Sequence, residues 1–328
     1  MVYSQNLTDC SLSTEAKARQ LLKNAWENKR LASTYLFFGP PGSGKLLLAR
    51  ALSKTVNCQA ESFPPCLTCP SCRKIEGNNH PDVHYLQKIK SNFIKIEQIQ
   101  EMHREISLRP FEGKYKVFII LDAQDLTAEA ANCLLKITEE PPKGSLLILI
   151  ASDLRRIFAT IISRCQKVRF SSLGRQEAKV ILNRDYRLDE RLSHYLAFAF
   201  EGRLGEALKF KDSDMISEKN QVIRYFLLEH FDQKEAVDKY DSKGRDELIW
   251  ILKVLISCIR DIYLLKVGQG REELVNQDIK DELWGLSQKF SFIDLDRMSW
   301  QLSSWIENVK QNINPKLLID NLRLLWKK

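Results

Sequence analysis

The chain has 328 residues, of which 44% are hydrophobic and 28% charged, so it exceeds one ordinary core and suits two or three domains. It has no run of about 18 apolar residues and no leader sequence, which excludes a membrane-spanning protein and predicts a cytoplasmic one. The net charge of +8 permits contact with phosphate-rich partners, although lysine and arginine are spread along the chain.

The first motif along the chain has the form of a phosphate-binding loop. A buried strand is predicted at 35–38 before it, and a helix at 46–56 after it. In such loops backbone N–H groups surround phosphate oxygens, a lysine neutralises charge, and the next residue's hydroxyl binds Mg²⁺. Here that next residue is Leu46, so the hydroxyl is missing; a simple turn is the alternative. The candidate nucleotide-binding residues are Gly39, Gly42, Ser43, Gly44 and Lys45.

Four of the eight cysteines fall close together, in a segment whose prolines favour tight turns. Four thiolates complete a tetrahedral zinc shell and leave no place for water, so the spacing predicts a structural rather than a catalytic zinc site. A disulfide framework is the alternative, and a cytoplasmic setting argues against it. The predicted ligands are Cys58, Cys66, Cys69 and Cys72.

A second buried strand is predicted at 117–121, directly before Asp122. In nucleotide-hydrolysing proteins such a strand ends in an acid that holds Mg²⁺, followed by one that orients water. By this register Leu121 takes the metal-holding position and Asp122 the water-orienting one. With Leu46, this makes two Mg²⁺ contacts apolar, which predicts poor hydrolysis and leaves ATP and Mg²⁺ binding open. The alternative register makes Asp122 itself the metal ligand.

The remaining elements complete an α/β pattern. Strands are predicted at 83–86, 146–151 and 167–170, and a helix at 94–108. Strands that alternate with helices specify a parallel sheet with helices on both faces. Beyond residue 172 only helical patterns continue, and a linker is predicted at 212–214.

Several motifs resemble those of a known family. The cysteines run into Arg73 and His80-Pro81-Asp82-Val83, and 134–142 and Ser163-Arg164-Cys165 follow. In this order, inside a phosphate-loop domain, they resemble the bacterial DNA polymerase III clamp loaders of the AAA+ family. Motor subunits of that family keep the loop hydroxyl and the metal acid, whereas the delta-prime type has lost them. The chain is most similar to the delta-prime type, and Gly205, where motor subunits carry a nucleotide-sensing arginine, agrees with it.

The resemblance implies a role for Arg164 and a set of partners. Arg164 would be an arginine finger that reaches the ATP site of an adjacent motor subunit, while this chain hydrolyses no ATP. A solvated arginine at a strand edge is the alternative. The implied partners are the gamma/tau motor subunits and delta and, through the assembled complex, the sliding clamp and primed DNA.

The resemblance also implies three domains. They are an α/β AAA+ domain at 1–172 with the zinc module at 58–72, a small helical lid at 173–212, and an all-α collar at 213–328 that joins five subunits in a ring.

Two other functions fit the sequence. One is an ATP-hydrolysing motor subunit, in which Lys45 and Asp122 suffice and water replaces the missing hydroxyl. The other is a zinc module that binds DNA directly, with Lys54, Arg73 and Lys74 as phosphate contacts.

Overall fold

The structure is a computed structural model that describes most of the chain. The described residues are 13–89, 91–211, 214–228, 244–268 and 273–310, with 318, 321, 322 and 325. The chain forms two compact units, one of residues up to 173 with 203–206, and one of 174–202 with the residues from 207 onward. Of the predicted linker, residues 212 and 213 lie outside the described residues.

The first unit is built on one parallel sheet. Its five strands are β1 (Thr34–Phe38), β2 (Val83–Leu86), β3 (Lys116–Ile120), β4 (Ser145–Ala151) and β5 (Gln166–Arg169). They lie in the order β2-β3-β4-β1-β5, and every neighbouring pair is parallel. The predicted α/β class with a parallel sheet is confirmed, and each predicted strand lies within one residue of its observed bounds.

Helices cover both faces of this sheet. They are α1 (Ser13–Glu27), α2 (Lys45–Asn57), α3 (Pro70–Glu76), α4 (Ile96–Ile106), α5 (Ala128–Glu139) and α6 (Ala159–Ile162). Successive strand residues point to opposite faces, so Leu147 packs in a cluster with α4, α5 and α6, and Ile148 in another with α1, α2 and α3. The central strands β3 and β4 are buried along their whole length. Two apolar layers therefore hold the carboxyl ends of the strands in fixed positions.

The start of α4 differs from the predicted helix at 94–108. Ile94 is the first residue of the predicted helix, yet the observed helix begins at Ile96. The N–H of Ile94 donates to the carbonyl of Asp125 at 2.8 Å, and its carbonyl accepts from Thr127 at 3.1 Å. These bonds commit the backbone of Ile94 to a bridge with the segment after β3, which a local pattern does not reveal.

Asp82, immediately before β2, organises the loop that leads into β3. Its carboxylate is fully buried and accepts backbone N–H bonds from Phe111 (2.6 Å), Glu112 (2.9 Å) and Gly113 (2.7 Å). Burial raises the pKa of Asp82, but these three donors outweigh burial, and the pKa lies below its usual value. The sequence motif His80-Pro81-Asp82-Val83 thus has a structural role in this chain.

We expect Asp82→Asn to lower the free energy of unfolding of the first unit by about 3 kcal/mol at pH 7, because the amide group faces backbone donors. Since the folded pKa is lowered, the carboxylate stabilises the fold above the unfolded pKa of about 4 and loses this effect as the pH falls further. Urea unfolding at pH 7 and at pH 3 measures both. The difference from wild type should shrink at pH 3, and Asp153→Asn, at a half-exposed carboxylate, should change little. An equal deficit at both pH values would contradict the role given to the charge.

Beyond β5 the described residues form helices and no strand. The α-helices are α7 (Arg175–Tyr186), α8 (Glu190–Ala199), α9 (Leu204–Ala207), α10 (Met215–Ile223), α11 (Arg245–Val267), α12 (Lys280–Lys289) and α13 (Phe292–Lys310). In the second unit, α10 to α13 share one apolar core. The helical character predicted for this region is confirmed, whereas the boundary between lid and collar stays a prediction. No helix among the described residues is long and apolar enough to cross a membrane.

Candidate functional site

The candidate phosphate loop joins β1 to α2 at the carboxyl edge of the sheet, where parallel strands of this fold place their ligand sites. Gly39 has a φ of 146°, and a Cβ there would lie 2.2 Å from the carbonyl oxygen of Phe170, so only glycine fits. Gly44, with φ 86°, precedes the first turn of α2. The loop therefore has the strand, turn and helix that the motif requires.

Lys45 turns back onto its own loop. Its ammonium lies 2.6 Å from the carbonyl oxygen of Gly39 and 2.5 Å from that of Pro40. Burial lowers the pKa of Lys45 to about 8, against the opposing charges of Asp122 and Glu206. The cation that would neutralise a bound phosphate thus bonds to the loop's own carbonyl groups.

The segment 203–206 packs against the phosphate loop within the first unit. The N–H of Gly205 donates to the carbonyl of Gly42 at 3.1 Å. A Cβ at Gly205 would lie 3.1 Å from the Cα of Gly42, and a Cβ at Gly42 would lie 3.0 Å from the backbone nitrogen of Glu206. A larger residue at 205 would press on the backbone of Gly42, which would have to shift slightly. The carboxylate of Glu206 acts on Lys45 electrostatically and lies 3.4 Å from the guanidinium of Arg203.

Three residues at this edge occupy positions where Mg²⁺ ligands or water-orienting acids are found in nucleotide-hydrolysing proteins. Leu121 packs against the core on one face of the sheet, and Leu46 is exposed; neither has an oxygen. Asp122, with φ 52°, accepts a 3.2 Å hydrogen bond from Gln124 and lies 3.8 Å from the ammonium of Lys88. Of Leu46, Leu121 and Asp122, Asp122 alone has a carboxylate, and its side chain is exposed beside the ammonium of Lys88.

The four predicted cysteine ligands come together. One sulfur atom from each of Cys58, Cys66, Cys69 and Cys72 lies within 4.8 Å of the others. Cys58 follows α2, while Cys69 caps α3 and Cys72 lies in its first turn, so two helix ends fix three of the sulfurs. The insertion between α2 and β2 is thus a compact four-cysteine cluster that could bind a metal ion.

The chemistry of the cluster fits a divalent cation. Backbone N–H groups donate to three of the sulfurs, those of Cys58, Cys66 and Cys69, at 3.4 to 3.5 Å. Hydrogen bonds from the backbone of Cys69 and Thr68 lower the pKa of Cys66 to about 6, which favours its thiolate at neutral pH. Burial raises the pKa of Cys72 above its usual value. A bound cation would offset the repulsion of four thiolates.

Arg164 lies at the opposite edge of the sheet from the phosphate loop. It precedes β5, whose first residue Gln166 pairs with Tyr35 near the start of β1. The phosphate loop follows the far end of β1, a strand about 13 Å long. Because the two strands are parallel, Arg164 is placed at the amino edge and is not directed at the phosphate loop of its own chain.

The guanidinium of Arg164 has defined partners. Nη2 lies 2.7 Å from a carboxylate oxygen of Glu139, and Nη1 donates to the carbonyl of Thr160 at 3.0 Å. The Arg164 side chain is 35% exposed. The neighbouring Cys165 is buried, which raises the pKa of its thiol to about 12, so that side chain packs rather than reacts.

The basic residues suggested as DNA contacts in the cysteine module are mostly paired. Lys54 is buried and forms an ion pair with Glu76, and Lys74 lies 2.6 Å from Glu112. A buried, neutralised lysine is not available to a phosphate group. The geometry therefore does not favour direct DNA binding as the main role of this module.

Sequence reasoning missed three polar residues at these sites. Glu206 lies beside the phosphate loop, Gln124 donates to Asp122, and Glu139 contacts Arg164. Each is distant in sequence from its partner or lacks a distinctive motif. An acidic residue next to the position of the missing sensing arginine was the one available signal for Glu206.

Comparisons with known proteins agree with these features. The family described as "DNA polymerase III, delta subunit" matches residues 14–174. DNA polymerase III subunit delta' of Bacillus subtilis is 32% identical over 277 residues, which cover 81% of this chain and 82% of that protein. The delta' subunit of Haemophilus influenzae is 29% identical, covering 70% of this chain and 71% of the relative. Subunit tau of Bacillus subtilis is 27% identical over 87% of this chain, which spans 56% of that longer protein.

Proposed function

This chain belongs to the delta' subunits of DNA polymerase III, within the clamp-loader AAA+ family, and from this premise we propose that it is a non-hydrolysing subunit whose Arg164 acts in trans. In the assembled clamp loader, Arg164 enters the ATP site of the adjacent motor subunit. There its positive charge stabilises the negative charge that develops on the γ-phosphate during hydrolysis. The neighbour thus hydrolyses ATP only when this chain is docked.

The observation that carries the proposal is the separation of Arg164 from the phosphate loop of its own chain. Arg164 precedes β5 at the amino edge of the sheet, and the loop follows β1 at the carboxyl edge. A half-exposed guanidinium at that edge can meet an anion that belongs to another subunit. Arginine suits this role because its planar fork matches phosphate oxygens and keeps its charge at any physiological pH.

The non-hydrolysing part of the proposal rests on the chain's own loop. Leu46 and Leu121 supply no oxygen for Mg²⁺, and the ammonium of Lys45 is bonded to loop carbonyls. The carboxylate of Glu206, which also pairs with Arg203, attracts the Lys45 ammonium. Without Mg²⁺, phosphoryl transfer loses its main electrostatic stabilisation.

We further propose that Cys58, Cys66, Cys69 and Cys72 hold a structural zinc ion. With four thiolates the coordination shell has no open position, so the ion would crosslink the ends of α2 and α3 rather than take part in catalysis. Zinc fits better than Mg²⁺ or Ca²⁺ because thiolates are soft ligands. The cluster then stabilises the first unit at the point where its insertion leaves the sheet.

The proposed partners are the other clamp-loader subunits, namely the gamma/tau motors and delta. The proposed lid at 173–212 lies mostly in the helical second unit, and its residues 203–206 belong to the first unit. The proposed collar at 213–328 would join this chain to the ring. The assembled complex would open the sliding clamp and place it on primed DNA in the cytoplasm. In that reaction this chain would hydrolyse no ATP itself and would contribute Arg164 to the neighbouring ATP site.

We expect the isolated chain to show no magnesium-dependent ATP turnover, because both apolar positions lack a Mg²⁺ ligand. In the complex reconstituted with the cognate motor and delta subunits, Lys45→Ala should leave DNA-stimulated turnover within about twofold of wild type. Phosphate release measured on the isolated chain and on the complex provides the test. Turnover by the chain alone that Lys45→Ala abolishes would identify a motor subunit instead.

A further inference from the structure

We propose that Glu139 is a positioning residue that orients the guanidinium of Arg164 for the neighbouring ATP site. The inference rests on the proposed trans role of Arg164 and adds a residue to it. Glu139 is the last residue of α5, and Arg164 lies between α6 and β5, so the contact joins two separate elements. Nothing in the local sequence around either residue indicates the pairing.

Two contacts define the direction of the guanidinium. Glu139 accepts from Nη2 at 2.7 Å, and the carbonyl of Thr160 accepts from Nη1 at 3.0 Å; Ser163 Oγ is more distant at 3.5 Å. A guanidinium has five N–H donors in a fixed plane, and these contacts use at most three. At least two donors stay available to an incoming phosphate while the plane of the group is already set.

The position of Glu139 at the end of a helix also favours this orientation of the guanidinium. Glu139 ends α5, where the unpaired carbonyl groups of a helix carry partial negative charge. The negative potential at this point favours the Arg164 rotamer that contacts Glu139 over the other rotamers that an exposed side chain samples. A side chain ordered before docking loses less conformational entropy when it enters the partner's site.

The ion pair between Glu139 and Arg164 is weak enough to orient the guanidinium without holding it away from a phosphate. The Glu139 side chain is 50% exposed and that of Arg164 is 35% exposed. A pair so exposed shifts an equilibrium by only a few-fold, because water and salt screen it. The contact is therefore too weak to withhold the arginine from a multiply charged phosphate, yet it is sufficient to bias its orientation.

The test uses the complex reconstituted with the motor and delta subunits, primed DNA and clamp. We expect Glu139→Gln to lower turnover at the neighbouring ATP site by about fivefold at saturating ATP, with the KM for ATP unchanged. Glu139→Asp, which keeps the charge on a shorter side chain, should recover part of the loss. Glu140→Gln is the matched control, since it makes the same charge change at the next, exposed residue and should behave as wild type.

A double-mutant cycle separates positioning from a general structural effect. In the Arg164→Ala background, Glu139→Gln should cause no further loss, because the group that it orients is gone. A further loss in that background, or an increase of turnover in the single variant, would overturn the inference. Wild-type turnover of Glu139→Gln beside a large effect of Arg164→Ala would also overturn it and leave the trans role intact. No effect of Arg164→Ala would instead reject the trans role itself.

Discussion

Arg164→Ala should lower ATP hydrolysis at the neighbouring motor site by a factor of about 10³, within the range of 10³ to 10⁵ known for arginine fingers. The expected loss is large because the guanidinium stabilises charge that exists mainly in the transition state. It should appear in kcat rather than in ATP binding. Single-turnover hydrolysis in the reconstituted complex is the measurement, since steady-state turnover also reports the other sites.

Two further variants make this prediction specific. Arg164→Lys should remain strongly impaired, because an ammonium cannot reproduce the planar fork of the guanidinium. Arg155→Ala removes an arginine whose side chain is 90% exposed and pairs with Asp153 in the adjoining turn, and it should leave hydrolysis unchanged. Equal activity of Arg164→Ala and wild type, in a complex of normal composition, would reject the finger.

Cys72→Ser should abolish the proposed zinc binding and destabilise the first unit. Structural zinc contributes about 10 to 16 kcal/mol of binding free energy in small zinc domains, and it is folding energy as well. A loss of only about 4 kcal/mol would lower the melting temperature of a unit of this size by about 10 °C. Metal content by mass spectrometry of the native protein, together with a thermal melt, measures both effects.

The chain offers a matched control for this substitution. Cys133→Ser changes a half-buried cysteine of α5 that lies outside the cluster, so it should retain one zinc ion per chain and melt near wild type. Zinc retained in full by Cys72→Ser would remove that residue from the ligand set. Metal-free wild-type protein with a reductant-sensitive melt would point to disulfide bonds instead.

Local patterns predicted the sheet because each strand depends on residues that are adjacent in sequence. The apolar run at 146–151 has no polar residue to place it at a surface, and it forms the central strand β4. The cysteine cluster was predictable for a similar reason, since all four cysteines lie in one short segment. Arg164 could be singled out because a specific tripeptide contains it.

Contacts between distant segments could not be predicted in the same way. Asp82 accepts bonds from a loop before β3, Glu206 approaches the phosphate loop, and Glu139 pairs with Arg164. Each depends on which segments the sheet order brings together, and a single charged residue carries no record of its partner. The predicted start of α4 at Ile94 was wrong for a related reason. Ile94 forms a bridge with the segment after β3, and the helix begins two residues later.

The strand order also determines when parts of the protein can fold during synthesis. Among the described strands, β1 pairs only with β4 and β5, which leave the ribosome long after it. Its apolar residues, among them Tyr35 and Phe37, therefore have no strand partner while most of the first unit is being made, and such segments favour aggregation. The four cysteines, in contrast, emerge together within a short segment and can close around a metal early. The four-cysteine cluster can thus form before the phosphate loop has a sheet to support it.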